Sequence, residues 1–153
     1  MNSKETTLAD EAPLDQGPMP GLVGYNCKRA FAAIDPFSDE RMAGYLLRAT
    51  DFAVLNLLYF NPEVSQKQAA SGINVSAPNL APILDRLESR GLVQRRRHLD
   101  DKRFQALSLT AEGRRLYVEA EKTALEIEHE ATRMLSTAER KQLIALLRKI
   151  YLA

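Results

Sequence analysis

The apolar residues of this chain fall into two registers. Leu80, Ile83, Leu84 and Leu87 recur at spacings of three and four, the period of one helix face. Leu143, Leu146, Leu147 and Ile150 form a second such stripe near the C-terminus. A longer one, Leu116, Tyr117, Ala120, Ala124, Ile127 and Ala131, precedes it. Between the first stripe and the long one the period changes. Leu92-Val93-Gln94-Arg95-Arg96 reads as a strand, and Gln105, Leu107 and Leu109 alternate with Phe104, Ala106 and Ser108, the period-two signal of a half-buried strand. The pattern predicts a mainly α-helical chain with a small β-hairpin.

Polar residues mark where these elements begin and end. Ser65-Gln66-Lys67-Gln68 is a capping box, so a short helix follows that buries Ala69 and Ala70. Ser71-Gly72-Ile73-Asn74 breaks it, with Gly72 available for the positive φ of a tight turn. Ser76 caps the helix of the first stripe and Gly91 stops it. Two helices joined by a short turn are a helix-turn-helix, whose second helix can enter a DNA major groove, and a hairpin behind them makes a winged helix. Upstream, 22–34 reads as a helix ended by Asp35-Pro36. A second short helix, capped by Asp35 or Ser38, runs to Tyr45 and Leu46. A third, 50–59, carries Phe52, Val54, Leu55 and Leu58 and closes at Asn61-Pro62. Downstream, Thr110 caps a long helix over 111–134, and the box Ser136-Thr137-Ala138-Glu139 starts the last one. Pro82 sits a turn inside its helix, where it either reshapes the exposed surface or marks a later helix start.

Composition narrows the function classes. The 153 residues suit one domain with extensions, and 45% hydrophobic residues suffice for a core. No apolar run approaches the roughly 20 residues of a membrane span, and the N-terminus lacks a signal peptide's basic-then-apolar order. Cys27, the single cysteine, allows no intrachain disulfide and fits a reducing cytoplasm. His98 and His129 form no metal cluster; no catalytic constellation and no cofactor motif is visible. Residues 1–20, rich in acids and prolines, read as a flexible arm.

Charge is uneven. The formal total is +1, yet Arg86, Arg90, Arg95, Arg96, Arg97, Lys102 and Arg103 face only Glu88, Asp100 and Asp101 over 86–103. Such a local excess is a footprint for phosphate. On the second helix of the motif, Ser76, Ala77, Asn79 and Pro82 face the groove. Asn79 is the candidate base reader, because a carboxamide can pair with both polar groups on an adenine edge. Arg86 either reaches phosphate or pairs with Asp85 or Glu88, and Gln68 and Lys67 are placed to meet the backbone. Arg95, Arg96 and Arg97 alternate between strand faces, so Arg97, nearest the tip, is the preferred contact.

Leu84-Asp85-Arg86-Leu87-Glu88-Ser89-Arg90-Gly91-Leu92-Val93, then Asp101-Lys102-Arg103, then Leu109-Thr110-Ala111-Glu112-Gly113 resemble, in order and spacing, the multiple-antibiotic-resistance regulators, or MarR family. The resemblance covers roughly 52–117 well and the flanking helices in outline. It implies a winged helix-turn-helix over 49–110, with dimerisation helices over 21–48 and 111–153. It implies that Arg103 enters the minor groove, that Asp101 holds it there, and that Lys102 stands beside it. An idle surface pair is the alternative for Arg103. Gln105 stands where many members carry another basic residue.

The long and last helices leave apolar faces needing cover, which the family supplies by a two-fold dimer reading a palindromic operator. The resemblance also implies an aromatic or lipophilic effector in a cleft beside the dimer helices, for which Tyr25, Arg29, Tyr45, Arg48 and Phe52 are candidates suited to a phenolic carboxylate or an acyl thioester. The reading is a DNA-binding regulator, a repressor released by such a ligand. The alternatives are thiol oxidation at Cys27 and a winged helix that binds protein.

Overall fold

The computed structural model describes residues 14–97 and 105–152. Contacts divide the chain into two units, Met1–Ala32 and Ala33–Ala153. In the described part of the first, a short 3-10 turn, Met19–Gly21, leads into α1, Val23–Met42. Asn26 donates from Nδ2 to the carbonyls of Pro20 and Leu22, both at 2.8 Å, and so fixes that junction.

α1 does not stop at Asp35-Pro36, as the sequence predicts, but runs to Met42. The expected second short helix is thereby merged with the first. Pro36 removes one N–H, the partner of the Ala32 carbonyl, and Ala32 is exposed, so water can take that acceptor. The bias of a pre-proline residue away from α is a preference that helix on both sides overrides.

The second unit is built on α2, Ala49–Phe60. β1, Val64–Ser65, leads to α3, Gln66–Gly72, and α4, Ala77–Ser89. The hairpin strands are β2, Val93–Arg97, and β3, Gln105–Leu109. α5, Ala111–Ala131, and α6, Thr137–Tyr151, follow. The sheet is antiparallel in the order β1-β3-β2, with Val93 opposite Leu109 and Arg97 opposite Gln105. β1 is an addition to the expected hairpin; two residues are too few to show a period.

Val54, Leu55 and Leu58 of α2, Leu80, Leu84 and Leu87 of α4, and Tyr117 of α5 are all but fully buried together. Each such side chain contributes roughly 1.5–3 kcal/mol when taken from water. Tyr117 stacks on Phe52 and lies 4.5 Å, ring to ring, from Tyr59. Its hydroxyl donates to Glu121 Oε1 at 2.6 Å and sits 2.8 Å from Asn56 Oδ1. Burial, and then Glu121, push that phenol well above its ordinary range.

Two glycines set the base of the hairpin. Gly91 leaves α4 at a φ of +68°, the left-handed value that ends many helices. Gly113 packs so tightly on the residue before β2 that a Cβ there would lie 2.0 Å from the Leu92 carbonyl oxygen. Thr110 joins the two ends: its hydroxyl donates to Gly91 O at 2.6 Å while accepting Gly113 N–H at 3.0 Å. In the turn between α3 and α4 it is Asn74, at φ 53°, and not Gly72, that takes the left-handed conformation. Asparagine tolerates it because its short side chain bonds locally.

Ser136 caps α6, its hydroxyl accepting Glu139 N–H at 3.3 Å. The Ser136 hydroxyl and N–H in turn hold the Glu139 carboxyl below its usual range. No residue of α6 is buried, and Leu143, Leu146 and Ile150 are 44%, 51% and 62% exposed.

Candidate nucleic-acid interface

α4 owes its orientation to its stripe. Leu80, Ile83, Leu84 and Leu87 point into the core, which leaves Ser76, Ala77, Pro78, Asn79 and Pro82 exposed on the leading turn and a half. Ser76 accepts Asn79 N–H with its hydroxyl, at 3.4 Å, and can still donate outward. The Asn79 carboxamide has no partner among the described residues. Pro82 lies within the helix and not before it, so the helix starts at Ala77 and its surface is the altered feature. Gln68 is exposed on α3; its Oε1 accepts the N–H and hydroxyl of Ser65, both at 2.8 Å, leaving its amide N–H groups to donate.

The arginines behind this surface are not all aimed outward. Arg86 pairs with neither Asp85 nor Glu88. It turns to α2 and donates from Nη2 to Asp51, which is 1% exposed and also accepts Arg48 N–H at 3.0 Å. The guanidinium expected at phosphate is thus committed inward, because a buried carboxylate demands a charged partner. Arg95 of β2 takes the carboxylates in its place, Asp85 at 2.7 Å and Glu88 at 2.5 Å. Arg90 reaches back to the carbonyls of Tyr45 and Leu46, at 2.8 and 2.6 Å, at the left-handed end of the 3-10 turn Ala43–Tyr45. These three arginines tie α4 and β2 to the rest of the unit.

Arg96 is exposed. Arg97 ends β2 opposite Gln105, with its side chain outside the described atoms. Asp101, Lys102 and Arg103 lie outside the described residues.

The five candidate effector residues fall in both units. Tyr25 and Arg29 line a cavity of the first unit, about 680 Å³, with Met19, Leu22 and Lys28. The Arg29 guanidinium lies 5.9 Å from the Tyr25 ring centre. Arg48 lines another in the second unit, about 440 Å³, with Leu46, Leu47, Asp51 and Arg86. Tyr45 and Phe52 are not in that lining. Tyr45 bonds Thr123 Oγ1 at 2.8 Å, and Phe52 stacks on Tyr117. Arg86 lines this cavity, and its Nε–H is buried with no partner among the described residues.

Sequence reasoning missed Asp51, Arg90 and Arg95 as structural ties. Asp51 left one signal, a lone acid in the apolar run of α2. Among the described residues no group of His, Cys, Asp and Glu could hold a metal, and no helix is long and apolar enough to cross a membrane.

Residues 47–104, a span that holds α2, α3, α4 and β2, match the model of the MarR family. A putative transcriptional regulatory protein for the hcr operon of Thauera aromatica is 27% identical over 144 residues, 94% of this chain and 87% of that one. The transcriptional repressor CouR, solved on a 23-mer DNA duplex, is 34% identical, with a TM-score of 0.84 over 91% of this chain and 99% of its own. BpsR of Bordetella bronchiseptica, whose DNA binding is regulated by 6-hydroxynicotinic acid, is 25% identical, with a TM-score of 0.82 over 93% and 99%. With the two helices of the helix-turn-helix and the first hairpin strand inside the matched span, and a 34% identical relative covered almost end to end, the chain belongs to the MarR family of DNA-binding transcriptional regulators, and its work is regulation and not catalysis.

Proposed function

We propose that the chain is a cytoplasmic repressor that binds a palindromic operator as a homodimer and leaves it when a small aromatic acid or its thioester binds. The observation that carries this reading is the leading face of α4, where Ser76, Ala77, Asn79 and Pro82 stand exposed on a helix whose opposite stripe is locked in the core. CouR, a repressor on DNA, supports it. In this reading Asn79 reads a base, Ser76 and Gln68 meet phosphate, and Arg97, Lys102 and Arg103 of the wing follow the backbone or minor groove with Asp101 as support. A pair of such units reads half-sites about one DNA turn apart. The helices of 21–48 and 111–153 flank the 49–110 unit and pair the copies, which would cover the open face of α6.

For the effector, the cavity beside Arg48 and Arg86 is the favoured seat. A carboxylate there competes with Asp51 for the Arg86 guanidinium, so that its binding bears directly on α4. BpsR and its aromatic acid support that class.

The test is Arg103→Ala on operator DNA at physiological salt. The expected result is a loss of about tenfold or more in affinity, with the dimer intact and a shallower salt dependence. Equal affinity removes the wing from the mechanism. For the effector, aromatic acids and thioesters that raise the melting temperature should release the DNA.

A further inference from the structure

Pro82 is the residue of α4 that the helix itself least explains. It stands inside the helix, four residues after Pro78, and both prolines are exposed. In an α-helix the N–H of each residue bonds the carbonyl four residues back. Pro82 has no N–H, so the Pro78 carbonyl has no donor within the helix. Residues three and four apart share a helix face. Pro78 and Asn79 therefore lie on the same face as Pro82, the one that Leu80, Ile83 and Leu84 leave pointing outward. Pro78 is itself exposed, and its carbonyl is a backbone acceptor without a helical donor, beside apolar pyrrolidine rings and the Ala77 methyl. Apart from Asn79 and the Ser76 hydroxyl the leading face is apolar.

We propose that Pro82 is a specificity-determining residue, and that the acceptor it frees reads an A·T base pair in each half-site. In the major groove only adenine N6 and cytosine N4 offer hydrogen-bond donors, and only thymine offers a methyl group. The Pro78 carbonyl accepts from adenine N6–H, and the pyrrolidine of Pro82 packs against a thymine methyl. A cytosine could serve the carbonyl but would leave the ring facing no methyl. This readout comes from the backbone, so substitution of a polar side chain would not expose it. It rests on α4 being the DNA-reading helix, as proposed above.

Full-length wild type and Pro82→Ala are each used to select duplexes from a randomised DNA library, in the same buffer. Alanine restores the missing N–H, so the variant folds at least as stably, which a melting curve checks. Wild type is expected to enrich a site with a strict A·T pair in each half, and Pro82→Ala to enrich the same site with that pair relaxed. Replacing that adenine by purine, which lacks the amino group, should weaken wild-type binding about tenfold and leave the variant unaffected. Identical selected sites, or an equal purine penalty in both proteins, overturn the inference while leaving DNA binding in place. A library from which wild type enriches nothing overturns the DNA-binding reading underneath it, which is a different result.

Discussion

α4 and α6 look alike as sequence and differ as structure. Both open on a serine cap and both carry an apolar stripe at helical spacing. In α4 the stripe is buried, with Leu80, Leu84 and Leu87 at 0% exposure. In α6 no stripe residue is buried. Periodicity states that a helix has a face to cover and is silent on what covers it. For α4 the cover is α2, α3 and the sheet of the same chain; for α6, in the proposed reading, it is a second copy. The two helices also differ in polar ties. α4 is bound to distant segments through Arg86 and Arg90, whereas the polar contacts of α6, including Arg140 to Thr132 O, stay near its own start.

The contrast can be broken from either side. The largest effect is expected from Leu84→Ala, which opens a hole in the filled core and should cost about 2–5 kcal/mol in denaturant unfolding. A cost below about 1 kcal/mol would mean that the α4 stripe is not the element that fixes the helix. Asp51→Ala should come next, at about 2 kcal/mol, by leaving Arg86 without its partner. That lies below the figure for a fully buried pair, because the Arg86 side chain is 32% exposed. The same variant should alter DNA affinity, since Arg86 sits on α4, the helix proposed to read DNA; stability lost with affinity unchanged would make the tie purely architectural. The smallest effect on the subunit belongs to Leu146→Lys, within about 0.5 kcal/mol because the residue is already exposed. Light scattering should nevertheless show a monomer, and a dimer that survives would place the pairing surface elsewhere.

What could be read in advance was whatever is decided within a few residues. The capping boxes Ser65–Gln68 and Ser136–Glu139 close over three positions, and both form as expected. The stripes that define α4 and α5 and the alternation of β3 are local in the same sense. The failures are of two kinds. Rules of preference gave way where neighbours outvoted them: α1 passes through Pro36, and Asn74 takes the turn conformation assigned to Gly72. Long-range pairing was invisible. Arg86 meets Asp51 across 35 residues, and Arg90 meets Leu46 across 44, and no local pattern encodes either. The outward charge was overestimated for that reason, since a count of arginines does not show which are spent holding the chain together.

The contact of Gly113 with Leu92 carries a mechanical consequence. With no Cβ between them, the long helix and the root of the hairpin touch backbone to backbone, and no side chain is left there to flex. α5 is thus a rigid handle for the wing. A tilt of α5 at this contact passes to the root of the hairpin, and in the proposed dimer it would alter the reach from one wing to the other.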